Sequence, residues 1–427
     1  MTAPRCGENK GAPTKYLRNI NVRWGVFDLT EVEEMRVTND ERARFNIADG
    51  DLLICEGGEP GRCAVWVDGP NNLAFQKALL RFRALEGISS EWVANALKLK
   101  SATGDLERFF TGTTIKHLPA VSLSKVPVPI APIPEQRRIV AKLDTLSARS
   151  KRARAELDRV APLIERSKQA ILSKAFTGDL TANWRGTDQM RHDGPWSIPA
   201  SWQWGTFADL AEVASNLVPP AAVMDLPHIA PNHLESGIPR LLPYRTVRED
   251  EVISGKHRFF SGQVLYSKIR PYLRKAVPVD FDGVCSADMY PLNPKGNPTF
   301  LLFWLFSPGF NNLSAEHQGR TLLPKINQSA LNSISTPLPP RAEQDEIARR
   351  IEVALSKLDH LTTEARAGKG LLDRLDQAIL AKAFRGELVP HDPNDEPASV
   401  FLERIRAGRA AEGKPATRRR RLTRMPR

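Results

Sequence analysis

The chain has 427 residues, of which 41% are hydrophobic, and it carries a formal net charge of +12. This length favours two or three domains, each with a hydrophobic core of its own. No run of eighteen apolar residues is present, and the start of the chain lacks a charged stretch followed by an apolar one, so we expect neither a membrane span nor a secretory signal.

The first third of the chain is predicted to be a mixed α/β domain. Residues 50–55 read as a glycine turn followed by a strand, and residues 91–99 as a helix. Cys55 and Cys63 could pair in a hairpin, but buried free thiols are the favoured interpretation. The four cysteines form no CxxC pair and no cluster with histidine, so we expect a cytoplasmic protein without a metal site.

A long helix is predicted next. From residue 139 to residue 176 the apolar side chains recur every 3.5 residues, which is the seam of a coiled coil. The helix opens after a proline-bearing segment and ends near Gly178, which suits a left-handed cap. Pro162 lies inside this pattern and predicts a kink or a short break.

A second α/β domain and a second long helix repeat this order. Residues 262–266 read as a glycine turn and a strand, and residues 299–306 as a helix. The helix ending at residues 169–180 (QAILSKAFTGDL) returns 208 residues later as QAILAKAFRGEL, with nine of twelve positions identical. About one match is expected from composition alone. The repeat therefore predicts two equivalent structural units.

Each long helix exposes an apolar stripe and needs a partner. One possibility is a coiled coil between copies of the chain. The favoured alternative is that the two helices pair antiparallel within one chain, because the tethered partner is present at high effective concentration. Gly370 is the repeat partner of Pro162, so the same weak point is expected in the second helix.

The positive charge is concentrated in two places. Residues 135–176 contain eleven lysines and arginines against five acidic residues, a net of +6, and residues 391–427 contain ten against five, a net of +5. Residues 343–384 have seven against eight, a net of −1. Nucleic acid is therefore a candidate partner, with Arg418 to Arg421 predicted to be a tail of non-specific affinity.

Several motifs together resemble the DNA-specificity subunit of type I restriction–modification systems. They are the PxP–EQ openings and QAILxKAFxG(D/E)L endings of both long helices, and the segments at residues 16–22, 50–63, 113–118 and 269–275. The resemblance covers nearly the whole chain. It departs at the start, because the counterpart of residues 202–205 would fall before Met1.

The resemblance implies an α+β fold with two α/β target-recognition domains, separated by two antiparallel coiled-coil helices and related by a pseudo-two-fold repeat. The domain boundaries that we predict are 1–133 and 181–336 for the recognition domains, 134–180 and 337–390 for the spacer helices, and 391–427 for a short helix and the basic tail. It further implies that each domain reads one half of a bipartite, asymmetric site in double-stranded DNA. The helices would set the spacing and dock two methyltransferase subunits, and motor-nuclease subunits would bind the assembly.

No cofactor is expected on this chain, because the resemblance places S-adenosylmethionine, ATP and Mg²⁺ on the partner subunits. The sequence agrees, since it contains neither a GxxxxGK(S/T) phosphate loop nor a (D/N)PP(Y/F) methyltransferase motif. His117 and His257 have no partners at metal-ligand spacing. We therefore expect no catalytic residue. The alternatives are a stand-alone DNA-binding protein, a nuclease or methyltransferase in its own right, and a coiled-coil adaptor.

Residues that contact DNA are expected on loops, where arginine and lysine can reach guanine and phosphate and asparagine can reach adenine. Taken alone, each candidate is more often a solvated surface residue, whereas the cluster in the second domain, taken as a group, favours DNA contact. In the first domain the candidates are Arg18, Asn19, Asn21, Arg62, Lys77 and Lys116. In the second domain they are Lys268, Arg270, Tyr272, Arg274 and Lys275, where four cations fall within eight residues.

Overall fold

A computed structural model describes residues 11–70, 72–76, 78–84, 87–186, 189–317 and 324–411 of the chain. They form two compact units. One unit contains the described residues up to Glu156 and those from Gly368 onward, and the other contains Leu157–Ala367. Each unit holds one α/β domain together with part of both long helices, which confirms the predicted α+β class and its internal repeat.

The first domain is built from short strands and three helices. Its strands are β1 (Ala12–Leu17), β2 (Val22–Arg23), β3 (Val26–Phe27), β4 (Glu33–Val37), β5 (Leu52–Cys55), β6 (Cys63–Val65), β7 (Ala74–Phe75) and β8 (Leu79–Phe82). Its helices are α1 (Asn39–Phe45), α2 (Ser90–Ala102) and α3 (Ala120–Leu123). The strands form sheets in the orders β4-β1-β7 and β6-β5-β8, and β2 pairs with β3.

Strand β5 lies at the centre of the first domain. All four of its residues are buried, because α2 packs on one face of the sheet and the aromatic cluster around Trp66 packs on the other. A left-handed Gly50 turns the chain into this strand, with φ of +81°. The predicted strand and the predicted helix at residues 91–99 are both confirmed.

Helix α4 (Ile133–Thr177) joins this domain to the second one. The second domain contains helices α5 (Ala182–Arg185), α6 (Phe207–Leu210), α7 (Pro298–Phe306), α8 (Pro308–Glu316) and α9 (Gln328–Asn332). Its strands are β9 (Met190–Arg191), β10 (Ile198–Pro199), β11 (Gln203–Thr206), β12 (Ala211–Val213), β13 (Leu217–Val218), β14 (Pro227–Ile229), β15 (Arg245–Thr246), β16 (Lys256–Phe259), β17 (Val264–Ser267), β18 (Ala276–Pro278), β19 (Gly283–Cys285), β20 (Met289–Pro294) and β21 (Ser335–Leu338).

Two sheets form most of the second domain, in the orders β12-β20-β17-β18 and β13-β16-β19-β14-β15, while β11 pairs with β21. The helix predicted at residues 299–306 is α7, and the strand predicted after Gly262 is β17. Helix α7 is apolar on all sides because it is buried from Phe300 to Phe306 in one large aromatic core.

Helix α10 (Arg341–Phe384) is the second long helix, and α11 (Ala398–Ala411) follows it. Both long helices run through Pro162 and Gly370 without a break, so the predicted break is wrong, while the kink that was its alternative stays a prediction. Pro162 is exposed, and water can satisfy the carbonyl group that its ring leaves without a partner. The predicted left-handed caps are confirmed at Gly178 and Gly386, with φ of +86° and +74°.

The two long helices pair antiparallel within each unit. In the first unit Arg154 on α4 binds Asp373 at 2.5 Å and Asp376 at 2.7 Å on α10. In the second unit Lys168 binds Asp359 at 2.8 Å. The favoured prediction of pairing within one chain is confirmed.

The apolar seam between these helices is buried at some positions and exposed at others. Ile139, Leu143 and Ile351 are at most 3% exposed, whereas Leu361 and Leu375 are 48% and 51% exposed. Two helices alone cover a narrow stripe of each other, so residues away from the domains keep contact with water.

The duplicated EQ sequence locks each domain to its long helix. The side-chain NH₂ of Gln136 donates to Ala131 O at 2.8 Å, and that of Gln344 donates to Pro339 O at 3.0 Å. Their side-chain oxygens accept from the backbone N–H of Ser89 and Asn297, the N-caps of α2 and α7. One motif therefore makes the same hydrogen bonds between domain and helix twice.

The segment after α10 packs on the first domain. Arg138 binds Asp395 at 2.6 Å, and Phe401 in α11 is 5% exposed. Burial raises the pKa of the Cys55 thiol, and Cys55, Cys63 and Cys285 are buried free thiols, as predicted. No helix among the described residues is long and apolar enough to cross a lipid bilayer. Cys6 and the tail Arg418 to Arg421 lie outside the described residues.

Candidate nucleic-acid interface

A tight turn follows β1 in the first domain and β14 in the second, and the two turns are 212 residues apart. They are the 3-10 turns Asn19–Asn21 and Pro231–His233. Asn21 Oδ1 accepts from the backbone N–H of Arg18 at 2.9 Å, and His233 Nδ1 accepts from that of Ala230 at 3.1 Å. Burial lowers the pKa of His233, which favours the neutral ring that this bond requires.

A cationic side chain donates a hydrogen bond to the backbone of each turn, and in both domains this residue immediately precedes a neighbouring strand. Arg62, just before β6, donates to Asn19 O at 2.9 Å. Lys275, just before β18, donates to Pro231 O at 2.7 Å, and burial lowers the pKa of its ammonium group. Arg62 also binds Glu59 at 2.8 Å. These two cations are equivalent tethers of the scaffold.

The tethers close two loops that follow the central strands. We call residues 56–61 the first loop and residues 268–274 the second loop. Glu56 O accepts from the N–H of Leu118 at 2.7 Å, and Lys268 O accepts from the N–H of Ile326 at 3.0 Å. Each loop is therefore fixed at both ends by equivalent bonds, and the residues between these ends differ completely.

The second loop presents an exposed cation and an exposed aromatic ring. Arg270 and Arg274 have left-handed backbones, with φ of +50° and +49°, and flank a turn that carries Tyr272. Such backbones are costly for residues other than glycine and are frequent at functional loops. Arg270 is exposed and Tyr272 is 58% exposed.

The other cations of the second loop interact with their surroundings. Lys268 Nζ lies 4.8 Å from the centre of the Tyr290 ring, and Arg274 lies 3.6 Å from Glu165. An aromatic ring stabilises a cation over its face, and a carboxylate stabilises a guanidinium group. Arg270 is thus the cation of this loop whose side chain is most open to a nucleic acid.

The candidates in the first domain are mostly engaged within it. Arg18 forms an ion pair with Glu33, and the Asn19 side chain donates to Gly57 O at 3.4 Å. Asn21 is 3% exposed, and its NH₂ group donates to two backbone carbonyls, at 2.9 and 2.8 Å. Lys116 is exposed. Lys77 lies outside the described residues.

Side-chain exposure thus divides the eleven candidates for DNA contact into those that are open to solvent and those that are bonded within the domain. Lys116, Arg270 and Tyr272 are exposed, whereas Asn21, Arg62 and Lys275 have the structural roles described above. DNA contact at the candidate positions stays a prediction. His117 is exposed, His257 is buried in β16, and in the described ranges no three His, Cys, Asp or Glu side chains cluster as metal ligands would.

Each unit also contains a groove between its domain and its long helices. The groove of the first unit, about 420 Å³, is lined by Gly25, Val26, Asn95, Asp144 and Asp376, among others. The groove of the second unit, about 530 Å³, is lined by the repeat counterparts Gly237, Ile238, Phe303, Glu352 and Lys168, among others. The two grooves are therefore the same place in the repeat, formed twice.

Comparison with known proteins assigns the chain to a family. A family model for the type I restriction modification DNA specificity domain matches residues 199–367. The chain is also 38% identical over 324 residues to the type I restriction enzyme EcoDI specificity subunit of Escherichia coli, covering 71% of this chain and 73% of that relative. The chain belongs to the family of type I restriction enzyme specificity subunits.

Other members of the family cover more of the chain. Identity to the EcoKI specificity subunit of Escherichia coli (strain K12) is 25% over 427 residues, covering 93% of this chain and 89% of that one. The crystal structure of the HsdS subunit from Thermoanaerobacter tengcongensis matches with a TM-score of 0.58 at 19% identity, covering 89% and 92%. A structure describing assembly of a type I restriction–modification system matches with a TM-score of 0.64 at 19% identity, covering 89% and 93%. At such identities the likeness establishes a shared fold.

Reasoning from the sequence named Arg62 and Lys275 of this specificity subunit as DNA-contact candidates and missed their role as tethers. Arg62 and Lys275 differ in residue type and are 213 residues apart, so the 208-residue offset of the helices does not align them. An alignment of the two domains with each other, made separately from that of the helices, would have found them. In that alignment β6 lies opposite β18, and each tether immediately precedes one of these strands.

Proposed function

We propose that this specificity subunit reads a bipartite, asymmetric site in double-stranded DNA, one half with each α/β domain. The observation that carries the proposal is the contrast between the two loops and their surroundings. Their ends are held by equivalent bonds, while EGGEPG in the first loop stands where KIRPYLR stands in the second. Two domains that share a scaffold and differ in their loops are suited to bind two different DNA sequences.

We further propose that the long helices set the spacing of the two half-sites and dock two methyltransferase subunits. A partner that binds twice needs two like surfaces. The grooves beside Val26 and Ile238 are such a pair. Each groove is lined by a glycine that a β-branched residue follows, and by an acidic residue, Asp144 in the first groove and Glu352 in the second. Val26 and Ile238 are 51% and 41% exposed, so both can be covered by a partner.

The chemistry is assigned to partner chains. In this proposal S-adenosylmethionine binds the methyltransferase subunits, and ATP and Mg²⁺ bind motor-nuclease subunits, while the specificity subunit acts in the cytoplasm without a catalytic residue. Its own contribution is to place the enzymes on a sequence. Base-edge contacts then provide the discrimination, and phosphate contacts provide position and affinity.

Coexpression with the cognate methyltransferase, followed by genome-wide mapping of methylated adenines, tests this function. We expect one motif of two defined parts separated by a spacer of fixed length, and no methylation from the methyltransferase alone. Methylation at one contiguous motif, or a motif unchanged when the specificity subunit is left out, would contradict the proposal.

A further inference from the structure

A short hairpin follows the tight turn in each domain. In the first domain it consists of β2 and β3, which pair antiparallel. In the second domain Leu234 pairs antiparallel with Leu241. We call residues 22–27 the first hairpin and residues 234–241 the second hairpin. They begin 212 residues apart, as the turns before them do, so they are counterparts in the repeat.

A backbone bond joins the tip of each hairpin to the end of the neighbouring loop. Gly25 and Gly237 lie at the tips and have left-handed backbones, with φ of +74° and +72°. The N–H of Gly25 donates to Cys63 O at 3.0 Å, directly after the tether of the first domain. The N–H of Gly237 donates to Leu273 O at 3.2 Å and to Arg274 O at 3.1 Å, directly before the tether of the second domain.

A side-chain contact joins each groove to the same loop. In the first domain Trp24, which lines the groove, donates from Nε1 to Glu59 Oε1 in the first loop at 2.7 Å. In the second domain Glu165, which lines the other groove, lies 3.6 Å from Arg274 in the second loop. Each groove therefore has a backbone link and a side-chain link to the loop of its own domain.

The exposed apolar residue of each groove comes directly after the tip glycine. Val26 follows Gly25 and is 51% exposed, and Ile238 follows Gly237 and is 41% exposed. One planar peptide unit thus separates the residue that a partner would cover from the N–H group that holds the loop. A partner that fixes the first residue also fixes the position of that N–H group.

We propose that the two hairpins couple methyltransferase docking to the ordering of the loops, each within its own domain. The proposal rests on the docking function proposed above. A methyltransferase that binds the hairpin where its tip is bonded to the loop favours the ordered loop over the open one. Linkage is reciprocal, so a loop that is ordered on DNA strengthens docking in the same domain.

The hairpin tips are suited to such a role because they are exposed. Gly25 and Gly237 both face solvent, and exposed backbone with few buried contacts opens at a low cost in free energy. Covering the tip raises that cost for the hairpin and for the loop bonded to it. Gly25, Gly237 and Trp24 are positioning residues in this scheme, since they act on DNA through the loops.

The test measures amide exchange in the full chain, alone and with saturating cognate methyltransferase, in the absence of DNA. The N–H groups of Gly61 and Arg270 are bonded to Cys55 O and Pro324 O, so their exchange reports opening of the two loops. We expect docking to slow exchange at least about tenfold in both loops. Val26→Asp should abolish the slowing in the first loop alone, and Ile238→Asp in the second loop alone.

The exchange of the hairpins separates failure of the coupling from failure of the docking proposal. Two bound methyltransferases that protect both hairpins and leave both loops at their free rates would overturn the coupling and leave docking in the grooves intact. Two bound methyltransferases that protect neither hairpin would place the docking surface elsewhere, and both proposals would then be wrong.

A matched pair of substitutions at Gly237 breaks the backbone link selectively. A Cβ atom there would lie 3.7 Å from its nearest neighbour, Arg274 Nη2, so space is available and the left-handed backbone is the obstacle. Asparagine tolerates that backbone and keeps the N–H group in place, whereas valine does not. We expect docking to slow exchange in the second loop in Gly237→Asn and at least about fivefold less in Gly237→Val. Equal slowing in both variants would contradict the coupling.

A second pair acts from the loop and covers the case in which Gly237→Val does not fold or bind. Glu59 has a side chain that is 49% exposed, so its replacement leaves the core unchanged. Glu59→Gln keeps an oxygen that can accept from the Trp24 indole, and Glu59→Ala removes it. We expect docking to slow exchange in the first loop at least about threefold less in Glu59→Ala than in Glu59→Gln. The same slowing in both would count against the hairpin as the link.

Discussion

Cationic residues that are close together in this molecule have different roles, and the exposure of each side chain distinguishes those roles. Lys275 holds the turn at Pro231 in the second domain as Arg62 holds the turn at Asn19 in the first. Arg270, five residues before Lys275, is exposed on a left-handed backbone. A count of positive charge treats the three residues alike, although only Arg270 is free to reach a base.

Replacing Arg270 by alanine is expected to affect DNA binding and leave stability unchanged. If Arg270 contacts a guanine edge, the loss is about 1–3 kcal/mol and one position of the second half-site becomes relaxed. If it contacts phosphate, affinity falls evenly for all sequences and the salt slope falls by about one. Competition binding with each half-site mutated, at two salt concentrations, distinguishes these results.

Lys275→Ala is the matched control, because it removes a cation of the same segment from a structural bond. We expect it to cost about 1 kcal/mol of stability in urea unfolding, with the base preference unchanged in the folded protein. Full DNA affinity and specificity in Arg270→Ala would remove the second loop from the interface.

Glu346 is expected to make stability depend on pH. Hydrogen bonds from Arg349 and then Arg350 lower the pKa of its carboxyl group from 4.5 to about 2. A lowered pKa in the folded state stabilises the protein above pH 4.5, and this contribution is lost as the pH falls towards 2. Glu346→Gln should therefore cost about 1 kcal/mol at pH 7, a small value because Arg349 is largely exposed.

Thermal unfolding of both proteins between pH 7 and pH 2.5 checks this expectation. The difference in melting temperature should shrink steadily below pH 4.5. A constant difference across that range would mean that the Glu346 charge is not what stabilises the helix start.

The helix pair has complementary charge, which is a property of the elements and not of single residues. The segment at residues 135–176 has a net charge of +6, and the segment at residues 343–384 has a net charge of −1. Lys168 and Arg154 on α4 face aspartates on α10 in separate units. Two copies of α4 facing each other would instead bring cations together.

Arg154→Asp is expected to weaken this pairing by about 1–2 kcal/mol, because it replaces two ion pairs by repulsion from Asp373 and Asp376. Adding Asp373→Arg and Asp376→Arg should recover part of the loss. Urea unfolding gives the coupling energy when it is measured for four proteins. They are the wild type, Arg154→Asp, the double variant Asp373→Arg with Asp376→Arg, and the combination of all three substitutions. Losses that simply add would show that the charges do not recognise each other.

The ruler proposal is tested by lengthening both helices at repeat-related positions. Inserting seven residues after Arg159 and seven after Ala367 preserves the heptad pattern and adds about 10 Å of helix. Because duplex DNA rises about 3.4 Å per base pair, we expect the methylated spacer to grow by about three base pairs with both half-sites unchanged. Altered half-site bases at the original spacing would show that the helices are not the ruler.

The sequence revealed the elements well where periodicity or repetition was strong. Both long helices, their glycine caps and the central strands followed from spacing alone. The effect of Pro162 did not, because an exposed proline can be accommodated in a long, well-paired helix. Periodicity also did not show which seam positions are buried, since Ile139 and Ile351 are covered while Leu361 is 48% exposed.

Side-chain roles were less accessible, because they depend on which atoms a fold brings together. Asn21 was a reasonable candidate for reading adenine, and the structure shows its side chain bonded within its own loop. The sequence pattern identified the loop but not the direction of the side chain. The cluster at Arg270 was found because several cations close together in sequence must lie on one loop.

At the scale of the whole molecule, the duplicated groove predicts one specificity chain with two methyltransferases. Val26→Asp should remove one methyltransferase, Ile238→Asp the other, and the double variant both, because each places a charge in an apolar contact. Light scattering of the purified complexes measures the ratio.

Exposed Ile253→Asp, away from either groove, serves as the control and should keep both partners. A ratio of two to one in all variants would place the docking surface elsewhere. A complex with two specificity chains would contradict the assignment of one chain per assembly.

The paired tethers have a consequence for how such a protein changes over generations. Because the second loop is fixed at its ends by backbone bonds and by Lys275, substitutions at its exposed residues Arg270 and Tyr272 leave the core intact. The stability threshold that removes most mutations then applies weakly to Arg270 and Tyr272. If the second loop reads DNA as proposed, a lineage can therefore acquire a new target by drift in a few codons, while the scaffold that holds the loop stays unchanged.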